Sequence, residues 1–182
     1  MTQTRREHLK FLGATATVTL TPLGAFAASH AADDDTAMAE DGPMVHEVQM
    51  LNKHPDDSKE RQVFVPDLLR AKVGDTVKFI PADKGHNSEC SAKTAPEGAT
   101  VWRGKINKEV EVVLDTPGAY AYNCKPHRTA GMVGLILVGD VSGNYEDVKG
   151  ARFRGKEKKR YEAIFERADA MLEEEATAAE SS

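Results

Sequence analysis

Nine residues, Cys124-Lys125-Pro126-His127-Arg128-Thr129-Ala130-Gly131-Met132, place a thiol, an imidazole and a thioether in one short stretch. A further histidine, His86, stands upstream in Gly85-His86-Asn87. Two imidazole nitrogens, one thiolate and one weak thioether are the donor set of a blue-copper centre. Zinc rarely recruits methionine, and haem or iron–sulfur sites need other spacings. The chemistry these side chains suit is one-electron exchange through a single copper ion.

Donor chemistry assigns each residue a role. Cys124 would give the short copper–sulfur bond that stabilises Cu(I), His86 and His127 would complete a trigonal plane, and Met132 would be the long axial ligand. Asn87 can tie the two ligand loops together and offer its backbone N–H to the sulfur. Pro126 has no N–H and so adds no second donor there. Gly131 permits a tight approach before Met132. The edge of His127 is the expected electron port, with Met132 and Pro126 in an apolar rim. Lys84, Lys125 and Arg128 flank the ligands and could steer an acidic partner.

Other readings compete with this one. His86-x3-Cys90 with Cys124-x2-His127 could make a Cys2His2 zinc site, although zinc leaves Met132 and Asn87 without a purpose. In an exported protein Cys90 and Cys124 could instead form a disulfide. Cys90 could also be a small inert core residue. Copper storage or delivery would use the same ligands without rapid cycling. Four protein ligands leave no open position for a substrate, which argues against an enzyme. His46 and His54 are expected at the surface, and Trp102 is expected to pack.

Rigid elements must hold these ligands. From Val45 to Asp140 the chain shows short strands separated by turn signals, the pattern of a β-sandwich. Strands are expected at Val45–Leu51, Val63–Val65, Leu68–Ala71, Thr76–Ile80, Glu109–Leu114, Ala119–Asn123 and Met132–Val138, with Pro66 interrupting the second and third. The continuous apolar run after Met132 predicts a buried final strand. His86 then follows one strand, Cys124 ends another and Met132 begins the last, so two end-loops supply all four ligands. Beyond Asp140, Tyr145–Arg154 predicts a short helix broken near Gly155. Lys156–Glu175 predicts an amphipathic helix, its apolar stripe built from Tyr161, Ile164, Phe165, Ala168, Met171 and Leu172. That stripe is expected to cover a face of the sandwich rather than dock a partner. Residues 176–182 are expected to be a disordered tail.

The 182 residues suffice for one domain with tails, and the formal net charge is −5. The acids are concentrated in Asp33–Asp41 and from Glu173 onward, which leaves residues 42–172 at +2. No basic stripe with interleaved aromatics appears, so nucleic acid is not an expected partner. Arg5-Arg6 precedes a weakly hydrophobic stretch from Phe11 to Ala28 and small-x-small sites at Ala25-Phe26-Ala27 and Ser29-His30-Ala31. Residues 1–31 therefore look like an export signal of the twin-arginine type, with a Sec signal as the alternative. The run is short and holds threonines and a proline, so stable membrane insertion is not expected. Residues 32–43 look like an acidic disordered linker.

The spacing His86-x37-Cys124-x2-His127-x4-Met132 resembles the cupredoxins, and among them the pseudoazurins. Further segments carry the likeness: Met50-Leu51-Asn52-Lys53, Gly74-Asp75-Thr76-Val77, Phe79-Ile80-Pro81, Asp83-Lys84-Gly85-His86-Asn87, Pro96-Glu97-Gly98-Ala99, Lys105-Ile106-Asn107 and Pro117-Gly118-Ala119-Tyr120. The resemblance covers about residues 45–172 and includes the two C-terminal helices. It implies a Greek-key β-sandwich over residues 44–140 with helices over 141–175 packed on it. It also implies a type 1 copper cofactor and a periplasmic electron shuttle. Redox partners implied by the family are nitrite reductase or another denitrification enzyme, with a cytochrome as a possible donor. Cys90 and both acidic extensions depart from the family pattern.

Overall fold

The computed structural model describes residues 42–181, so the expected export signal and nearly all of the acidic linker lie outside the described residues. Alternating apolar residues build two facing sheets. The first has the order β2 (Arg61–Val65), β1 (Val45–Lys53), β4 (Thr76–Ile80), β7 (Val110–Val113). The second has the order β3 (Leu68–Ala71), β9 (Val133–Val138), β8 (Gly118–Asn123), β5 (Glu89–Cys90), β6 (Trp102–Arg103). The pairs β1–β4 and β3–β9 are parallel, whereas β1–β2, β4–β7, β8–β9, β5–β8 and β5–β6 are antiparallel.

The expected strands are present to within two residues at each end. Pro66 has no N–H to give to a ladder, and the chain changes sheets there: β2 belongs to the first sheet and β3 to the second. The two-residue strands β5 and β6 were not foreseen, because two residues are too short for a period-two pattern to register.

Strand β9 shows why a continuous apolar run marks a buried strand. Side chains alternate across a sheet, and both faces of β9 are covered. Ile136 and Val138 join Met50, Phe64, Phe79 and Tyr122 between the sheets. Val133, Leu135 and Leu137 face the other way, against Tyr145, Val148, Tyr161, Ile164 and Phe165 of the helices. The helices are α1 (Tyr145–Lys149) and α2 (Gly155–Glu180), so the apolar stripe covers the sandwich as expected. Tyr161 also donates its hydroxyl to the carbonyl of Tyr122 in β8, at 2.8 Å. Helix α2 continues through Glu180, which corrects the expected disordered tail from residue 176. The run Glu173–Glu180 has no proline or glycine to stop the helix, and Glu175 is held by Arg70 at 2.8 Å.

At the end of the sandwich away from His86, the carboxylate of Asp75 is buried. It accepts the N–H groups of Met44 and Lys72, both at 2.8 Å, and pairs with His46 at 2.7 Å. His46 is thus paired with a buried acid rather than simply solvated. Burial alone would raise the pKa of Asp75, but these hydrogen bonds hold it below the usual carboxylate range. A depressed carboxylate pKa adds stability above the unfolded value of about 3.9 and loses it as pH falls through the folded value. The Asp75→Asn variant should therefore lose stability at pH 7 and lose much less than the parent on going to pH 3. Urea midpoints at the two pH values measure this, and parallel losses in both proteins would contradict it.

Candidate metal centre

Three side chains converge where two loops meet at one end of the sandwich. His86 lies on the loop after β4, Cys124 follows β8, and His127 lies in the 3-10 turn Lys125–Ala130. Pro126 near the start of that turn supplies the φ it needs. Cys124 Sγ is 3.8 Å from His86 Nδ1 and 3.5 Å from His127 Nδ1, and the two nitrogens are 3.1 Å apart. A circle through three atoms so spaced has a radius of about 2.0 Å, which matches metal–nitrogen bonds of about 2.0–2.1 Å and lies slightly inside a metal–sulfur bond of about 2.3 Å. The donor set is one sulfur and two imidazoles, which suits copper better than magnesium or calcium.

Protonation states fit a cation at that point. His86 is fully buried, and burial lowers its pKa, as does the neighbouring His127; Asp83 acts weakly the other way. Its imidazole is therefore neutral, the form that ligates. Nε2 of His86 lies 3.1 Å from Asn52 Oδ1, an acceptor, so Nε2 carries the proton and Nδ1 keeps its lone pair for the site. Burial raises the pKa of Cys124, and the backbone N–H groups of Asn87 and His127 act against that rise. A buried thiol becomes a thiolate readily only when a positive charge joins it, which is what a metal ion provides.

Asn87 links the loop that carries His86 to the turn that carries His127. Its side-chain oxygen accepts the N–H of Lys125 at 2.8 Å, and its side-chain nitrogen donates to the carbonyl of Gly104 at 3.0 Å. The missing N–H of Pro126 does not leave one amide beside the sulfur, because that of His127 also acts there. Gly131 has φ of +92°, and a Cβ there would lie 3.2 Å from the carbonyl oxygen of Lys156. Its tight approach is thus to helix α2.

Met132 is fully buried beside Cys124 in the core between the sheets, so it is no part of a surface rim. Backbone bonds fix it: its N–H donates to the His127 carbonyl at 3.1 Å, and its carbonyl accepts the N–H of Cys124 at 3.0 Å. Pro126 is exposed and His127 half-buried, so the rim around the imidazole edge includes Pro126 alone of the two expected residues. Lys84 and Lys125 are exposed. Arg128 lies 3.7 Å from Glu157 of α2, which makes it a less free charge than expected.

Cys90 stays out of the centre. Its thiol donates to the Ala121 carbonyl at 3.4 Å, and burial pushes its pKa up to about 12. Both cysteines are free, so neither a Cys90–Cys124 disulfide nor a zinc site drawing on Cys90 is formed. Trp102 is buried, stacks on Phe79 at 5.5 Å and donates to Ser88 Oγ at 2.9 Å, as a packing residue should.

Sequence reasoning missed two asparagines. Asn52 sets the tautomer of His86 from strand β1. Asn107 accepts the N–H of Gly85 at 2.6 Å and gives its own N–H to the His86 carbonyl at 2.8 Å, with φ of +61°. Asparagine tolerates that left-handed conformation better than most residues, and this was the one signal available beforehand.

Comparison with known proteins gives a consistent result. Residues 49–139 match the family model of copper binding proteins, plastocyanin/azurin family. A pseudoazurin of Paracoccus pantotrophus is 40% identical over 118 residues, which cover 65% of this chain and 79% of that protein. A solved pseudoazurin from Sinorhizobium is 48% identical with a TM-score of 0.64, covering 67% of this chain and 94% of that one. The pseudoazurin structure from Methylobacterium extorquens AM1 is 38% identical with a TM-score of 0.64, covering 68% and 98%.

The bridging role of Asn87 has a measurable cost. Asn87→Ala deletes both side-chain hydrogen bonds and leaves two backbone groups short of a partner, which should destabilise the metal-free protein by about 1–3 kcal/mol. Urea unfolding measures it; an unchanged midpoint would contradict the bridge.

Proposed function

Because the chain belongs to the pseudoazurins, within the plastocyanin/azurin family of copper-binding proteins, we propose that His86, Cys124, His127 and Met132 hold its copper and that it shuttles single electrons between periplasmic redox partners. It is a copper electron-transfer protein and not an enzyme. The observation that carries the ligand assignment is the convergence of one sulfur and two Nδ1 atoms within 3.1–3.8 Å of one another.

Copper bound there supplies a Cu(II)/Cu(I) couple. The chain supplies the rest. Cys124 offers the thiolate, with the Asn87 and His127 amides directed at it. His86 is held by Asn52 and buried, so this side of the site excludes water. Met132 offers a weak fourth donor from the first residue before β9. Ligands on two braced loops change position little between oxidation states, and small reorganisation favours fast outer-sphere transfer. His127 alone of the three converging residues reaches the surface, which makes its outer edge the route for electrons. Exposed Pro126 beside it leaves an apolar contact for a partner, while exposed Lys84 and Lys125 favour an acidic one. The pseudoazurin relationship supports a denitrification enzyme such as nitrite reductase as acceptor and a cytochrome as donor. The export signal expected in residues 1–31 supports the periplasm.

The visible spectrum of the protein with Cu(II) tests the assignment. An intense blue or green thiolate charge-transfer band is expected, Cys124→Ala should abolish it and Cys90→Ala should keep it. Met132→Gln should retain copper and lower the potential, because a harder axial oxygen favours Cu(II). A Cys90→Ala protein that bleaches, beside a Met132→Gln protein with unchanged spectrum and potential, would overturn the ligand set. Electron self-exchange separates a shuttle, which exchanges quickly, from a storage protein, which does not.

Reversing both charges in Lys84→Glu/Lys125→Glu should slow electron transfer to an acidic partner at low ionic strength. The effect should fade at high salt, as the screening length falls from about 10 Å at 0.1 M to about 3 Å at 1 M. Stopped-flow rates across salt concentrations measure it, and a rate unaffected at every salt level would remove the steering role.

A further inference from the structure

Several cations on the helical side of the molecule are matched with acids. Arg160 meets Glu60, Arg167 meets Asp67 at 2.9 Å, Arg70 meets Glu175 at 2.8 Å, and Lys149 meets Asp169 at 2.8 Å. One cavity carries a marked excess of cations over acids. It measures about 450 Å³ and is bordered by Lys93, Arg128, Arg152 and Arg154, with Glu157 as its only acid. Glu157 is taken by Arg128 at 3.7 Å. Among the described residues Lys93, Arg152 and Arg154 have no counter-charge.

The cavity is built rather than splayed. Strand β8 borders it through Ala121 and Asn123, the 3-10 turn Ala92–Thr94 lies on one side, and the α1–α2 connection lies on another. Between the two arginines of that connection, Phe153 packs its ring on Tyr161 with centroids 4.0 Å apart. Tyr161 is itself fixed by its bond to the Tyr122 carbonyl. Arg152 and Arg154 therefore leave an anchored backbone, and both side chains are exposed at the cavity, where their planar guanidinium forks can meet a ligand. The dipole of α2, which begins at Gly155, adds positive potential at the same place.

We propose that this cavity binds a small, doubly charged oxyanion of the phosphate type, seated among Lys93, Arg152 and Arg154. Three unmatched cations around one concavity fit such an ion better than a monovalent one, and guanidinium forks bind its oxygens in pairs. A concavity bordered by a strand, a turn and a helix also fits a small ion better than the flat face of a protein partner. The site touches the electron-transfer function through Arg128, which follows His127 in sequence and lines the cavity. Negative charge there favours the more positive oxidation state, so an occupied site should lower the copper potential. This coupling rests on the proposed ligand set; the binding itself does not.

The test has two arms. In the first, inorganic phosphate is titrated into the metal-free full-length protein at constant ionic strength, with chloride as control, and amide NMR shifts are followed. Saturable shifts confined to the neighbourhood of residues 93, 128 and 152–154 are expected with phosphate and absent with chloride. The exposed double variant Arg152→Gln/Arg154→Gln should bind about tenfold more weakly or worse, given the strength of charge-assisted guanidinium bonds. Shifts that do not saturate, or equal binding by the variant, would overturn the site. In the second arm, the potential of the copper-loaded protein is measured with and without phosphate. A fall in the parent and none in the variant supports the coupling, and an unchanged parent potential in a protein that binds phosphate overturns it.

Discussion

Asn87 occupies the junction on which the rest of the site depends. Its side chain accepts from Lys125 on one ligand loop and donates to Gly104 beside the other, while its own backbone belongs to the segment that carries His86. The two loops come from different parts of the chain, and without a link each would move separately. Buried amides that satisfy both of their ends are strongly directional, because an unmade bond in a dry interior is costly. The result is a triangle of donor atoms set by the protein's own hydrogen bonds, with backbone bonds between Cys124, His127 and Met132 closing the second loop on itself.

The sandwich makes this arrangement stiff. Cys124 directly follows strand β8 and Met132 directly precedes strand β9, and both strands are covered on two faces. Their inner faces pack among Phe64, Phe79 and Trp102, and their outer faces lie under α1 and α2. Gly134 illustrates how close this packing is: a Cβ there would lie 2.3 Å from the Tyr122 ring. Helix α2 reaches the ligand loop as well, through the approach of Gly131 to Lys156. A helix that merely covers apolar surface thereby also fixes the turn that presents His127.

Much of this was legible in the sequence, and the reasons are particular. The proposed ligands stood out because sulfur, imidazole and thioether at that spacing have few other joint uses. The long strands were legible by alternation, β9 by its unbroken apolar run, and α2 by its three- and four-residue steps. Asn52 and Asn107 were not, because an asparagine's partner depends on which strands become neighbours. The pairing of Arg128 with Glu157 and the depth of Met132 likewise depend on how α2 and β9 pack. Cys90 was ambiguous in one dimension only; its place opposite Tyr122 in β5 turns it toward the Ala121 carbonyl and away from the two histidines.

A donor triangle set by the protein before any metal arrives has nearly the same shape without metal, with Cu(II) and with Cu(I). High-resolution crystal structures of the three forms measure this. Separations near 3.1, 3.5 and 3.8 Å among the two Nδ1 atoms and the Cys124 sulfur are expected in all three forms, differing by no more than a few tenths of an ångström. A metal-free form in which His127 swings outward or the two loops part by an ångström or more would contradict it.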